Sequence, residues 1–265
     1  MTTDRPHPSE REILLDEASL TLIEGGRGAP LLILHDELGY PGWLSWNAML
    51  AEDRKLIIPM APGFGKSPRR DWLSSVRDLA SLYARLLREL ELDQVDVLGF
   101  SMGGWIAAEM AVNSPAQFSR MILVAPAGIK PPQGEILDMF LQSAPEYIRA
   151  GVNEPAACAE YLRLYGEPPT PSQIAQWEEA RAQVARIAWS PYLHNPSLPM
   201  LMKGVRSLST LLIWGEQDAV IPASTARRFK ESIPDAQIAL LPNCGHRPEL
   251  EMTPDFVKIV RRFLT

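Results

Sequence analysis

Short apolar runs alternate with longer amphipathic stretches along most of this chain. Residues 19–23 and 31–34 read as early strands, and Gly25-Gly26-Arg27-Gly28 between them reads as a hairpin turn. Residues 55–59, 95–98, 121–124, 211–214 and 238–241 are further strand candidates. Trp72, Val76, Leu79, Tyr83, Leu86 and Leu90 recur at helical spacing. Near the C-terminus, Phe256, Ile259, Val260 and Phe263 share one helical face, with Thr253-Pro254 as N-cap and first-turn pair. This alternation predicts an α/β fold, a mostly parallel twisted central sheet flanked by helices on both faces. Ligand sites in such sheets form beyond the carboxyl ends of the strands. Chemistry is therefore expected just after Leu34, Leu98, Val124, Trp214 and Leu241.

One stretch breaks the rhythm. From about Pro131 to Arg206 the pattern is helix-like, rich in Pro, Ala and aromatics, with Pro168-Pro169-Thr170-Pro171 in its middle. The expected organisation is a core domain over residues 1–130 and 207–265, with residues 131–206 inserted as a helical cap over the active edge. The alternative is a set of ordinary surface helices.

Composition narrows the function classes. The 265 residues suffice for one large α/β domain with an insertion. Net charge is −6 with no block of like charges, which argues against nucleic acid or an anionic membrane as partner. Two cysteines, Cys158 and Cys244, lie far apart without metal-ligand spacing, so the expectation is a reduced cytoplasmic protein without a metal site. The polar start, residues 1–8, shows no signal-peptide pattern, and no apolar run is long enough to span a membrane. A homo-oligomer is left open.

The chemistry-bearing motif is Gly99-Phe100-Ser101-Met102-Gly103. It follows a strand candidate and precedes a helix-compatible stretch, the order of a nucleophile elbow, where a strained turn lifts a serine hydroxyl above the sheet. The competing reading is a serine that merely caps an ordinary helix. A serine hydroxyl needs a base at neutral pH. Of the four histidines, His246 has the right context, on a Gly-containing loop after the last strand candidate. The base needs a carboxylate to fix its tautomer. Asp218 follows the strand at 211–214, with Glu216 as competitor for the role. The order Ser101, Asp218, His246 is the one expected of this fold.

These segments resemble the α/β-hydrolases: Leu34-His35, Pro62-Gly63-Phe64-Gly65-Lys66-Ser67, Gly99 to Gly104, Trp214 to Asp218 with Pro222, and Cys244-Gly245-His246 with Glu251. The resemblance covers nearly the whole chain outside the insertion. It implies an oxyanion hole made by the backbone N–H groups of Met102 and Glu37, and a structural role for His35 within its loop. Two positions depart from the family pattern. Asp36, followed by Glu37, stands where a glycine usually follows the histidine, and Met60 stands where an aspartate often precedes the Pro-Gly-Phe-Gly turn. The Asp36 and Glu37 side chains are expected to face solvent or pair with an arginine, because carboxylates near the oxyanion would oppose its charge.

A serine nucleophile predicts acyl transfer, which needs no metal or organic cofactor. The first expectation is a hydrolase for small to medium apolar or aromatic carboxylic esters. Candidate substrate contacts are His35, Trp105, Phe140, Tyr147 and Trp189, and arginines and lysines of the insertion are candidates for a substrate carboxylate. Alternatives are a C–C bond hydrolase for ring-cleavage diketo acids, a cofactor-free perhydrolase, and a slow ligand-binding receptor.

Overall fold

A computed structural model describes residues 8–16 and 18–265; the polar N-terminal stretch lies outside them, apart from Pro8. Eight strands form one sheet: β1 (Ser9–Leu15), β2 (Ala18–Gly26), β3 (Ala29–Leu34), β4 (Arg54–Pro59), β5 (Val95–Phe100), β6 (Phe118–Val124), β7 (Ser209–Gly215) and β8 (Gln237–Leu241). Their spatial order is β1-β2-β4-β3-β5-β6-β7-β8. The β1–β2 and β2–β4 pairs are antiparallel and all others are parallel.

Among the described residues, ten α-helices accompany the sheet: α1 (Ser45–Leu50), α2 (Val76–Glu89), α3 (Met102–Asn113), α4 (Ala144–Ala150), α5 (Ala159–Tyr165), α6 (Pro171–Ala188), α7 (Leu198–Leu201), α8 (Ser224–Ser232), α9 (Pro248–Glu251) and α10 (Thr253–Leu264). The central strands are apolar on both faces because both faces are covered. On β3, Leu32 and Leu34 pack with α2, α3 and α8, while Leu31 and Ile33 pack with α1 and α10. Helix α3 is buried along Met102–Ala111, since it sits under other helices as well as on the sheet.

Three points of the sequence reading need correction. The turn near Gly25–Gly28 does not make a hairpin, because β4 lies between β2 and β3. Strand β1 has no counterpart among the apolar runs: its SEREILL sequence is polar and largely exposed, as an edge strand can be. The helical spacing that begins at Trp72 becomes a helix only at Val76, after Ser75, whose side chain and that of Asp78 form a capping box.

Between β6 and β7 the described residues hold only helices, α4 to α7, and short 3₁₀ turns. Their apolar side chains join the two clusters on the sheet: Met139, Tyr147 and Val184 one, Ile148, Val152 and Tyr161 the other. Among the described residues, no helix is long and apolar enough to cross a membrane.

Candidate active site

The turn after β5 is built by small residues. A Cβ on Gly99 would strike the carbonyl of Gly103, and one on Gly103 would strike the carbonyls of Leu34 and His35. Only glycines let α3 start so close beneath β3 and β5. Ser101 itself sits at φ 45°, ψ −112°, a conformation that non-glycine residues rarely adopt. The surroundings hold it there: its N–H donates to the Val124 carbonyl at 2.9 Å, and its carbonyl accepts from the Ala127 N–H at 3.0 Å.

His246 and Asp218 come from the loops after β8 and β7. His246 Nδ1 lies 2.8 Å from Asp218 Oδ2. The other Asp218 oxygen accepts from the N–H groups of Val220 and Ile221, both at 2.8 Å. That pair fixes the carboxylate, and the carboxylate selects the tautomer with the proton on Nδ1, leaving Nε2 free to accept. Glu216 is exposed, and it is Asp218 that meets the imidazole. Burial acts to lower the basicity of His246, but the Asp218 and Glu37 carboxylates outweigh it and raise its pKa above the ordinary value.

The loop after β3 departs from expectation. Asp36 does meet an arginine, at 3.0 Å from Arg247, which is shared with Glu249 at 2.6 Å. Burial pushes the Asp36 carboxyl up to about 6. Glu37 neither faces solvent nor meets an arginine. It is 2% exposed, and one carboxylate oxygen accepts from the Tyr147 hydroxyl at 2.6 Å. Burial acts to raise its pKa, but His246 and the Ser101 and Tyr147 hydroxyls overcome this and hold it below the ordinary value. Neither Ser101 Oγ nor Glu37 Oε2 makes a well-formed hydrogen bond. A carboxylate thus stands beside the serine hydroxyl, brought there because Tyr147 of α4 draws it inward.

His35 has both ring nitrogens engaged, Nδ1 with the Asp36 carbonyl at 2.7 Å and Nε2 accepting from the Ala61 N–H at 3.1 Å. Burial lowers its pKa to about 4. It therefore braces the loop and has no free polar ring atom to offer a substrate. Among the other candidate contacts, Tyr147 reaches the site through Glu37. Trp105 is buried, its ring N–H on Glu109 at 3.0 Å. Phe140 packs on Trp189 at 5.0 Å, and Trp189 is exposed. The N–H of Met102, first residue of α3, has no partner within its helix. Sequence reasoning could not name Arg247 as the partner of Asp36, and it missed the Glu37–Tyr147 contact. Each joins residues more than 100 positions apart, and no local pattern signals them.

Helix α4 and the turn after it lie against the site: the Gly151 carbonyl accepts the His246 N–H at 2.9 Å. A cleft of about 300 Å³ opens beside the Asp36 loop, walled by Leu38, Met60, Ile148, Trp177 and Arg247 among others.

The model of the alpha/beta hydrolase family matches residues 31–259, from β3 to α10. The chain belongs to the alpha/beta hydrolase family. It is 29% identical to a 2-hydroxymuconate semialdehyde hydrolase of Pseudomonas sp. (strain CF600), over 96% of this chain and 93% of the relative. It is 27% identical to a pimeloyl-[acyl-carrier protein] methyl ester esterase of Nitrosomonas europaea, over 91% of this chain and 97% of the relative. The fold also matches a solved 2-hydroxy-6-oxo-6-phenylhexa-2,4-dienoate hydrolase of Rhodococcus sp. strain RHA1, with a TM-score of 0.77 at 18% identity, over 98% of this chain and 99% of that one.

Proposed function

We propose that this protein is a serine hydrolase that cleaves carboxylic esters of small to medium apolar or aromatic substrates through an acyl-enzyme. The observation that supports this reading is the strained Ser101 turn, together with a buried His246 whose Nδ1 is held 2.8 Å from Asp218. Ser101 attacks the ester carbonyl while His246 Nε2 takes its proton. The oxyanion forms against the N–H groups of Met102 and Glu37, a type of contact worth about 3 kcal/mol of barrier each. His246 then protonates the leaving alcohol and activates water to release the acid. The helices between β6 and β7 act as a cap over the site, and the neighbouring cleft, walled by Leu38, Met60, Ile148 and Trp177 together with Asp36 and Arg247, has room for a compact group.

A second reading is C–C bond hydrolysis of a ring-cleavage diketo acid. The likeness to the 2-hydroxymuconate semialdehyde hydrolase favours it, and the same nucleophile and base would serve it. One experiment separates the two. Purified wild type and Ser101→Ala are assayed on p-nitrophenyl esters of increasing acyl length and on a ring-fission dienone acid followed by visible absorbance. Ester turnover abolished in Ser101→Ala supports the first reading. Turnover of the dienone acid alone moves the assignment to the second.

A further inference from the structure

The buried carboxylate of Glu37 is not needed by the mechanism proposed above, which uses only that residue's backbone N–H. A carboxylate next to a developing oxyanion works against acyl transfer, since two like charges at close range in a poorly solvated site repel strongly. Its placement is nevertheless firmly built. Oε1 is fixed by the Tyr147 hydroxyl at 2.6 Å. Oε2 is buried and makes no well-formed hydrogen bond, with the Ser101 hydroxyl and Glu37's own N–H as the neutral donors near the carboxylate, a costly state for a charged oxygen.

Among the described residues, no arginine or lysine of the neighbourhood compensates it. Arg247 is already divided between Asp36 and Glu249. The cationic side chains between β6 and β7, candidates for a substrate carboxylate, are engaged elsewhere or exposed. Arg163 pairs with Glu160, Arg181 binds the Gln142 carbonyl, and Arg186 binds the carbonyls of Arg70 and Asp71. Lys130, Arg149, Lys203 and Arg206 are exposed. While His246 is neutral, as a base must be, Glu37 therefore stands beside Ser101 as an anion without a compensating cation.

The geometry points to Glu37 as a specificity-determining carboxylate that favours acyl groups bearing a positive charge near the scissile carbonyl and disfavours acyl groups bearing a carboxylate. This rests on the acyl-transfer reading of Ser101. A cationic group of the substrate brings Glu37 the compensating charge it lacks. An anionic group meets Glu37 with no free cation to screen it.

The test uses three p-nitrophenyl esters of matched length: 4-(trimethylammonio)butanoyl, its uncharged isostere 5,5-dimethylhexanoyl, and the glutaryl monoester. Wild type should prefer the cationic ester over its isostere by about tenfold or more in kcat/KM, equivalent to about 1.4 kcal/mol. It should disfavour the glutaryl ester by a similar factor. In Glu37→Gln, which keeps the shape and an oxygen for Tyr147, both ratios should fall to near unity. Because ratios are read, partial loss of folded protein does not affect them. Glu37→Asp, which keeps the charge, should retain the order of preference. Ratios unchanged in Glu37→Gln, or no charge preference in wild type, overturn the proposal.

If wild type turns over none of the esters, the esterase reading fails by itself. The charge selection is then read by calorimetric binding of m-(trimethylammonio)trifluoroacetophenone against its tert-butyl isostere. Tighter binding of the cation that disappears in Glu37→Gln upholds selection; equal binding, or none, overturns it.

Discussion

Replacing Asp218 by asparagine changes one atom and should abolish the base. In the native site Oδ1 accepts two backbone N–H groups, from Val220 and Ile221, both at 2.8 Å. A side-chain amide can offer only its oxygen to two N–H donors. In the variant the amide oxygen must therefore stay on that side. Its NH₂ then takes the place of Oδ2, which in the native site lies 2.8 Å from His246 Nδ1. Nδ1 must accept from it, so the ring proton moves to Nε2, the nitrogen required to deprotonate Ser101. Loss of the correct tautomer in a serine triad costs about 10⁴ in kcat, or about 5 kcal/mol of barrier. The two backbone contacts survive the change, so the variant should stay folded. Initial rates on a p-nitrophenyl ester, with thermal melting in parallel, read both quantities. A folded Asp218→Asn protein within tenfold of wild-type kcat would refute the tautomer argument.

Other outcomes follow from the same contacts. His246 must be neutral to accept a proton and its pKa is raised by Asp218 and Glu37; kcat/KM should fall as pH drops through a value above about 6.5, the ordinary imidazole pKa. Glu37→Gln removes one of the raising charges, so its acid limb should move to lower pH; a limb that stays in place would contradict the assignment. Gly103→Ala drives a methyl group into the Leu34 and His35 carbonyls, and should cost about 3 kcal/mol, the upper end for overpacking. That loss should lower the melting temperature by about 6–12 °C in a protein of this size. Tyr147→Phe strips a charged, buried Glu37 of its donor and should cost about 1.5–3 kcal/mol in urea unfolding.

Much of the fold was legible because its signals are local. The short apolar runs became β3, β5 (interrupted by Asp96), β6 and β7, and the spacing of Val76, Leu79, Tyr83 and Leu86 became the buried face of α2. The glycines around Ser101 marked a turn whose steric demand the packing of α3 against β3 makes plain. What was not legible depends on pairings between distant residues. Gly25–Gly28 does separate two strands, but nothing local tells that β4 inserts between them. Strand β1 carries too few buried positions to register as a strand. At the site, Asp36-Glu37 could be seen as an unusual acidic pair, yet the two side chains part company. Asp36 is claimed by Arg247, and Glu37 turns inward to Tyr147, contacts that span 211 and 110 positions.

The most direct measurement is intact-protein mass spectrometry on samples quenched during turnover of p-nitrophenyl acetate. The proposed chemistry predicts one added acetyl group on wild type, mapped to the peptide containing Ser101, and no adduct or turnover in Ser101→Ala. Hydrolysis that persists in Ser101→Ala, or an acetyl group mapped to another residue, would contradict it.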